Sequence, residues 1–260
     1  MSYIPYIASV EMEISQTGKW KGKTAYIENV IGRRDQGWSS TSALGDVAQY
    51  LDTSQAVINT PTTGQTLYLV STNANDNSAG SGARSVRILY LDASGNRQVR
   101  TDSLNGTTPV SIGSGYSYIL YMEVAGGAIA AGNITVSSTN GAATTSTTFE
   151  RISTGNGRSM SARYKVPTGY SAFIDAWDTF AVGNTMDSRL RATVFSNDRT
   201  LSTVHHFQDT AFVTAGANTT KSLPYLKCPE GSEIKVSSIP GAAAAGNRND
   251  VSFSIIVVQN

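Results

Sequence analysis

The chain has 260 residues, of which 40% are hydrophobic and 15% charged, and its formal net charge is +1. This composition is too hydrophobic and too weakly charged for a disordered chain. The near-zero net charge gives no electrostatic basis for binding nucleic acid or an anionic membrane, so we expect neither as a partner. Abundant Thr, Ser, Val and Gly favour short strands joined by tight turns over a helical bundle.

A single cysteine, Cys228, excludes an intrachain disulfide framework and a Cys-rich zinc site. The start of the chain carries Glu11 and Glu13 and no basic head, so it does not resemble a secretory signal. No stretch approaches the roughly 18 apolar residues that span a bilayer. We therefore expect synthesis in a cytoplasm, with any extracellular stage inside a released particle.

Residues 1–50 do not follow the pattern of the rest and predict an N-terminal arm. Within this segment, residues 24–31 are a candidate strand, and the apolar residues of 44–51 are spaced as on one face of a short helix. The first residues form an extended apolar tip that either packs along its own domain or reaches a neighbouring subunit. The side chains predicted for an inter-subunit contact are Tyr3, Ile4, Tyr6, Ile7 and Val10.

Residues 51–143 are predicted to form a first β-sandwich. Apolar residues alternate in short runs at the spacing of roughly 8–12 residues that is typical of sandwiches. The predicted strands are residues 56–58, 66–71, 85–92, 98–104, 109–112, 116–124 and 133–138. The unit that recurs is a hairpin, in which Val86 and Ile88 share one face of a strand and Asp92-Ala-Ser-Gly-Asn96 turns the chain.

Residues 144–260 repeat this order of elements and are predicted to form a second β-sandwich. A stretch without apolar pattern, residues 139–148, predicts the linker between the two. The predicted strands are residues 158–166, 171–180, 189–195, 201–208, 221–228, 233–237 and 251–258. The landmark Ala-Ala-Gly-Asn precedes the last strand of both halves. The predicted fold is therefore all-β, with two tandem antiparallel β-sandwich domains, jelly-roll-like, preceded by the arm.

Residue patterns that carry catalysis are sparse. His205 and His206 are adjacent in a predicted strand and so face opposite sides, where they cannot easily share a metal. The G-x-S-x-G elbow, the phosphate-binding loop and the spaced Cys/His zinc sets are missing. Asn73-Ala-Asn-Asp-Asn77 is oxygen-rich like a calcium loop but lacks the Gly and final Glu of an EF-hand, which favours a solvated turn. We expect no catalytic residue, no cofactor and no bound metal.

One segment resembles a known family. The loop of residues 71–84, STNANDNSAGSGAR, leads into an alternating strand, the turn Asp92-Ala-Ser-Gly-Asn96 and the strand exit Leu104-Asn-Gly-Thr-Thr-Pro109. This order is similar to a segment of virion proteins of tailed bacteriophages, in particular marine and cyanobacterial phages. The resemblance spans about forty residues. It implies a β-sandwich particle component without catalysis, of the kind that decorates or cements heads or belongs to tails and fibres.

These observations predict a non-enzymatic virion structural protein, with a capsid decoration or cement protein as the first choice. The expected partners are further copies of the chain, as a homotrimer, and the major capsid protein or other virion proteins. Two alternatives stay open. One is a tail or fibre component that binds the host surface. The other is a carbohydrate-binding or carbohydrate-active module, which requires Trp177, Asp175 and Asp178 on one exposed face.

Overall fold

The computed structural model describes Ile14 and residues 17–35, 44–52, 56–193, 205–242 and 246–260. The predicted all-β class is confirmed, because the described residues form seventeen strands, joined by turns, loops and the 3-10 turn Thr145–Thr147. The predicted arm contacts lie outside this part of the chain: Tyr3, Ile4, Tyr6, Ile7 and Val10. Their role stays a prediction.

The strands are β1 Lys19–Trp20, β2 Lys23–Arg34, β3 Gly45–Asp46, β4 Leu67–Ser71, β5 Ala83–Asp92, β6 Arg97–Ser103, β7 Val110–Gly113, β8 Tyr116–Gly127, β9 Ile134–Ser137, β10 Thr148–Ile152, β11 Arg163–Lys165, β12 Tyr170–Val182, β13 Met186–Thr193, β14 His205–Val213, β15 Asn218–Cys228, β16 Glu233–Pro240 and β17 Arg248–Gln259.

Two sheets enclose the first core. One has the strand order β10-β9-β4-β7 and the other the order β6-β5-β8. Val86 and Ile88 of β5 both face this core and are fully buried, as their alternation predicts. They pack with apolar side chains of the facing sheet such as Leu69. The predicted turn after β5 also forms, with Asp92 accepting the Ser94 N–H at 2.9 Å.

The second sandwich pairs a five-stranded sheet, β1-β2-β17-β12-β15, with a sheet of order β11-β16-β13-β14. Its central antiparallel ladder joins β12 to β17 over the whole length of both strands. Trp177, Leu190 and Phe253 are among the side chains buried between these sheets. This is the larger of the two cores.

Part of the predicted arm is built into the second sandwich. Strand β2 pairs with β17 from Ala25 opposite Val258 to Arg34 opposite Asn249, and β3 pairs with β16. The prediction of an arm over the whole of residues 1–50 is therefore wrong for these strands. Local alternation can predict a strand at 24–31, but it carries no information on a pairing partner more than 200 residues away.

The helix predicted over residues 44–51 does not form. The Val47 N–H donates to the Val236 carbonyl and the Gln49 N–H to the Met160 carbonyl, both at 3.1 Å. These bonds run to neighbouring segments, and the only bond that this backbone segment makes within itself among the described residues is the single turn from the Leu51 N–H to the Ala48 carbonyl at 3.2 Å. Apolar residues at helical spacing are buried here by several surrounding strands, and such tertiary contacts override the local periodicity.

The predicted boundary at residue 143 falls within the first sandwich. Strand β10 pairs with β9 and extends the first sheet to Ile152. The polar stretch before it is a loop within that sheet, held where Asn59 Nδ2 donates to the carbonyls of Thr145 and Thr148 at 3.2 and 3.1 Å. A missing apolar pattern marks a loop without distinguishing a strand connection from a domain linker. The division into two independently folding units stays a prediction.

The sheet β6-β5-β8 also packs against the second sandwich. Leu89 and Leu91 of β5 and Tyr118 and Leu120 of β8 join the core of the second sandwich. Each is at most 3% exposed. Removing such a side chain from water stabilises the folded state by at most about 1.5–3 kcal/mol. The two sandwiches therefore meet through an apolar junction.

Elastase cleavage at Ala142 or Ala143 is expected to give two fragments that stay associated under native conditions. Strand β2 still pairs with β17 and β10 with β9 across the cut, and the four apolar side chains of the junction remain buried between the fragments. The measurement is the elution volume of the cleaved protein in gel filtration, with denaturing electrophoresis to establish the cut. Separate elution of the fragments would contradict the pairing of β2 with β17 and of β10 with β9, which joins them.

Candidate functional site

A fully buried ion pair lies next to the junction. The Arg163 and Glu150 side chains are both 0% exposed, and Arg163 Nη2 is 3.7 Å from Glu150 Oε2. Arg163 also donates to the carbonyls of Asn59 at 2.8 Å and Phe149 at 2.7 Å. Its guanidinium lies 4.7 Å from the centre of the Tyr118 ring. One side chain thus holds a strand of each sandwich and the segment around residue 59.

The Glu150 carboxylate is only partly satisfied. Its Oε1 accepts the Ser161 hydroxyl at 2.7 Å and the Arg151 N–H at 3.1 Å. Its Oε2 accepts no hydrogen bond from any described residue, so the Arg163 charge is its main compensation. Burial raises the pKa of Glu150, and the attraction of Arg163 opposes this shift.

The oxygen-rich loop of residues 73–77 is organised by Asp76, which is fully buried. Its Oδ1 accepts the N–H groups of Ala83 at 2.8 Å and Ala131 at 2.9 Å. Its Oδ2 accepts the Ser71 hydroxyl at 2.7 Å and the Gly132 N–H at 2.8 Å. The carboxylate therefore joins the start of β5 and the loop before β9 to the Asp76 loop.

The Asp76 loop is exposed at Ala74 and Asn75, as its composition predicts, but Asp76 itself is buried and is not a good calcium ligand. Four donors occupy both oxygens, which leaves little capacity for a cation. Burial raises the pKa of Asp76, but the hydrogen bonds from Ser71 and the three N–H groups outweigh it and hold the pKa below its usual value. A Cβ on Gly82 would lie 2.3 Å from Asp76 Oδ1, so the close approach requires glycine.

The carbohydrate site considered from the sequence is not assembled. Trp177 is 1% exposed in the second core, where its Nε1 donates to Asp209 Oδ2 at 2.9 Å. Asp175 and Asp178 lie among the half-buried positions of β12 and accept hydrogen bonds from serines of β17. The indole cannot serve as a sugar platform from this position. Strand β14 begins at His205 and His206, whose side chains lie outside the described part.

The Cys228 thiol is expected to resist alkylation in the native protein. The residue is 0% exposed, and burial raises its pKa to about 12, so little thiolate is present at neutral pH. The measurement is iodoacetamide incorporation by intact mass, before and after unfolding in guanidinium. Rapid native labelling at pH 7.5 would contradict the position of Cys228 in the core.

An open groove of about 610 Å³ lies on the outer face of the five-stranded sheet. Its floor includes Trp20 and Phe173, whose rings meet edge to face with centroids 6.2 Å apart. Three exposed lysines, Lys21, Lys23 and Lys227, also line it. This combination of aromatic floor and basic rim makes the groove the candidate binding site of the described chain.

No group of three or more His, Cys, Asp or Glu side chains suited to a metal ion occurs among the described residues. Within the same ranges, no helix has the length and apolar character needed to cross a bilayer.

Comparisons with known proteins give no family. No protein-family model and no curated protein matches the sequence. Among solved structures, infectious bursal disease virus, Gx strain, aligns at 9% identity over 99% of this chain and 78% of that chain, with a TM-score of 0.24. The VP2 subviral particle of the same virus aligns at 10% over 98% and 78%, also at 0.24.

A third structural match is the CBM22-1-CBM22-2 tandem domain of Paenibacillus barcinonensis Xyn10C. It aligns at 12% identity over 93% of this chain and 94% of that chain, with a TM-score of 0.24. Scores at this level do not establish a shared fold, and no inference about this chain rests on these matches.

Sequence reasoning did not find the ion pair or the groove. Glu150 and Arg163 each stand within a short run of strand-forming residues, where a charge usually marks the solvent face. The groove had a weaker signal in Trp20-Lys-Gly-Lys23, a tight-turn sequence between two short extended segments. Nothing local indicated that Phe173 and Lys227 would join it.

Proposed function

We propose that this chain is a non-enzymatic structural protein of a virus particle, a head decoration or cement protein that acts as a homotrimer. The observation that carries the proposal is the use made of its buried charges. Arg163, Glu150 and Asp76 all bind groups of the fold itself. Catalytic sites instead direct groups with shifted pKa values into a cleft. In this chain the buried charged groups bind other parts of the fold and make it rigid, and a shell component needs such rigidity.

The resemblance of residues 69–109 to phage virion proteins supports a tailed-phage particle as the setting. In this chain the resembling segment forms the end of β4, the Asp76 loop, β5 and β6. Its Asp and Gly landmarks have structural roles here, because Asp76 closes the loop and Gly82 allows the close approach. A motif used for architecture fits a component without catalysis.

The homotrimer is proposed from strand edges and the predicted arm. Strand β6 pairs only with β5 among the described residues, and most of its side chains are exposed. Free edges must be covered or paired to avoid uncontrolled association, and a closed ring of subunits does this. The arm adds apolar side chains, each contributing about 1.5–3 kcal/mol if fully buried. They are Tyr3, Ile4, Tyr6, Ile7 and Val10.

The test is solution mass together with binding to shells that lack the protein. We expect a trimer by light scattering and saturable binding of the full-length chain to such shells. Deleting residues 2–10 spares Ile14, which is buried against the five-stranded sheet. The deletion is expected to weaken both the trimer and its binding to the shells. A variant with the five arm side chains replaced by Ser is the matched control for chain length. A monomer that binds no shell would refute the proposal.

The non-enzymatic part has its own test. We propose no turnover of glycans and no stoichiometric metal in the purified protein. Elemental analysis and hydrolysis assays on a panel of polysaccharides measure both. Turnover that is lost in Asp175→Asn would overturn this part.

A further inference from the structure

The candidate groove is built by three separate parts of the five-stranded sheet. Phe173 lies opposite Lys227 on one side, and Val258 lies opposite Ser171, which is two residues from Phe173 on the same strand. The β1–β2 hairpin places Trp20 opposite Lys23 at the other side. Trp20 and Phe173 pack against the buried cluster of Ala25, Ile256 and Val258. The floor is therefore fixed by the sheet and does not depend on a loop.

The hairpin tip carries a strained residue. Lys21 has a φ of +51°, a left-handed conformation that costs a non-glycine residue free energy, and Gly22 follows at +78°. The Lys21 ammonium lies 4.8 Å from the centre of the Trp20 ring. A residue such as Asn or Gly would suit this turn better, so Lys21 occupies a backbone conformation that disfavours its side chain.

The charges lining the groove are unbalanced. Against the three lysines stands the exposed carboxylate of Glu230, whose Oε2 already accepts the Gly169 N–H at 2.6 Å. A ligand that fits must offer negative charge to the rim and apolar groups to the floor. A neutral sugar offers no negative charge to the three lysines of the rim. Both requirements are met by a peptide in which carboxylates alternate with apolar side chains.

We propose that this groove is a docking site for an acidic, apolar peptide segment of a partner chain. Apolar side chains of the segment pack on Trp20 and Phe173, and its carboxylates pair with Lys21, Lys23 and Lys227. The site stands independently of the virion assignment, since any partner with such a segment can use it.

A fluorescent peptide with the sequence of residues 2–13, SYIPYIASVEME, is a suitable probe, because it combines Tyr and Ile with two Glu. The receiving protein is the full chain carrying Glu11→Gln and Glu13→Gln, so that its own segment is not an acidic competitor. Fluorescence anisotropy is expected to give saturable binding that weakens as salt is raised.

The decisive variant is Lys21→Asn with Lys23→Gln and Lys227→Gln, in which Asn tolerates the left-handed backbone. Loss of three exposed ion pairs is expected to weaken binding roughly tenfold. Lys221→Gln is the matched control, because that lysine belongs to the same strand as Lys227 but pairs with Asp209 at 2.9 Å, outside the groove. It should leave binding unchanged. Melting temperature of every variant checks that the fold is intact.

Three results would overturn the docking site. One is the absence of saturable binding to the full chain. Another is equal affinity for the peptide with both Glu replaced by Gln. The third is an unchanged affinity in the triple lysine variant. Stronger binding of an anionic oligosaccharide, lost in the same variant, would assign the groove to a different class of ligand.

Discussion

Replacing Arg163 by Met is expected to lower the free energy of unfolding by about 3–5 kcal/mol. The substitution leaves the Glu150 carboxylate fully buried without its counter-charge and removes the donors to the Asn59 and Phe149 carbonyls. Urea unfolding at pH 7, followed by circular dichroism, measures the loss. The junction between the sandwiches should weaken with it, because Arg163 also packs on the Tyr118 ring.

The double variant Arg163→Met with Glu150→Leu separates charge from packing. It removes both ions together, and replacing a whole buried pair by apolar residues is often neutral or stabilising. We expect it to recover most of the stability lost in Arg163→Met. Equal destabilisation in the single and double variants would show that the ion pair is not the cause.

The defect of Arg163→Met is also expected to shrink in acid. Burial raises the folded-state pKa of Glu150, so the folded protein holds this proton more tightly than the unfolded chain. For a carboxyl with a raised folded pKa, relative stability increases as pH falls through that pKa. Protonated Glu150 needs no counter-charge. A defect that grows between pH 7 and pH 5 would contradict this account.

Asp76→Asn is expected to cost about 2–4 kcal/mol. The amide loses the charge that strengthens four hydrogen bonds, and its NH₂ group faces donors in place of an acceptor oxygen. Amide exchange of Ala83, Ala131 and Gly132 should accelerate, since these N–H groups lose their partner. Unfolding in urea and hydrogen exchange by mass spectrometry measure the two effects.

Asp92→Asn is the matched control for Asp76→Asn, because Asp92 also accepts backbone N–H groups but lies at a solvent-accessible turn. It should cost clearly less. The stabilisation by Asp76 also depends on pH, with the sign expected for a carboxyl whose pKa is lowered by folding. This stabilisation is complete above the unfolded pKa of about 3.9 and is lost as the pH falls through the folded pKa. Similar losses at Asp76 and Asp92 would contradict the proposed role of burial.

Elements of short range could be predicted from the sequence. The alternation of Val86 and Ile88 identifies the core face of β5, and the turn at Asp92–Asn96 forms where Asp and Gly supply the required hydrogen bonds and backbone conformation. These features depend on residues within about ten positions of one another. The all-β class follows from repeating them along the chain.

Pairing between distant segments could not be predicted. Strand β2 pairs with β17 at the other end of the chain, and β10, which follows a polar loop, pairs with β9 of the first sheet. The groove has the same origin, because Trp20, Phe173 and Lys227 come together only through the strand order β1-β2-β17-β12-β15. The buried charges were missed for a related reason. Glu150 needs Arg163 to be tolerated in the core, and the sequence shows each only as a polar residue in a strand.

The central claim, that this chain is a trimeric structural component of a virus head, is tested most directly by a cryo-electron microscopy map of particles that contain it. The account predicts density for two packed β-sandwiches, repeated three times about a local threefold axis on the outer surface of the head. Density at the tail or fibre, or purified particles that lack the chain, would contradict it.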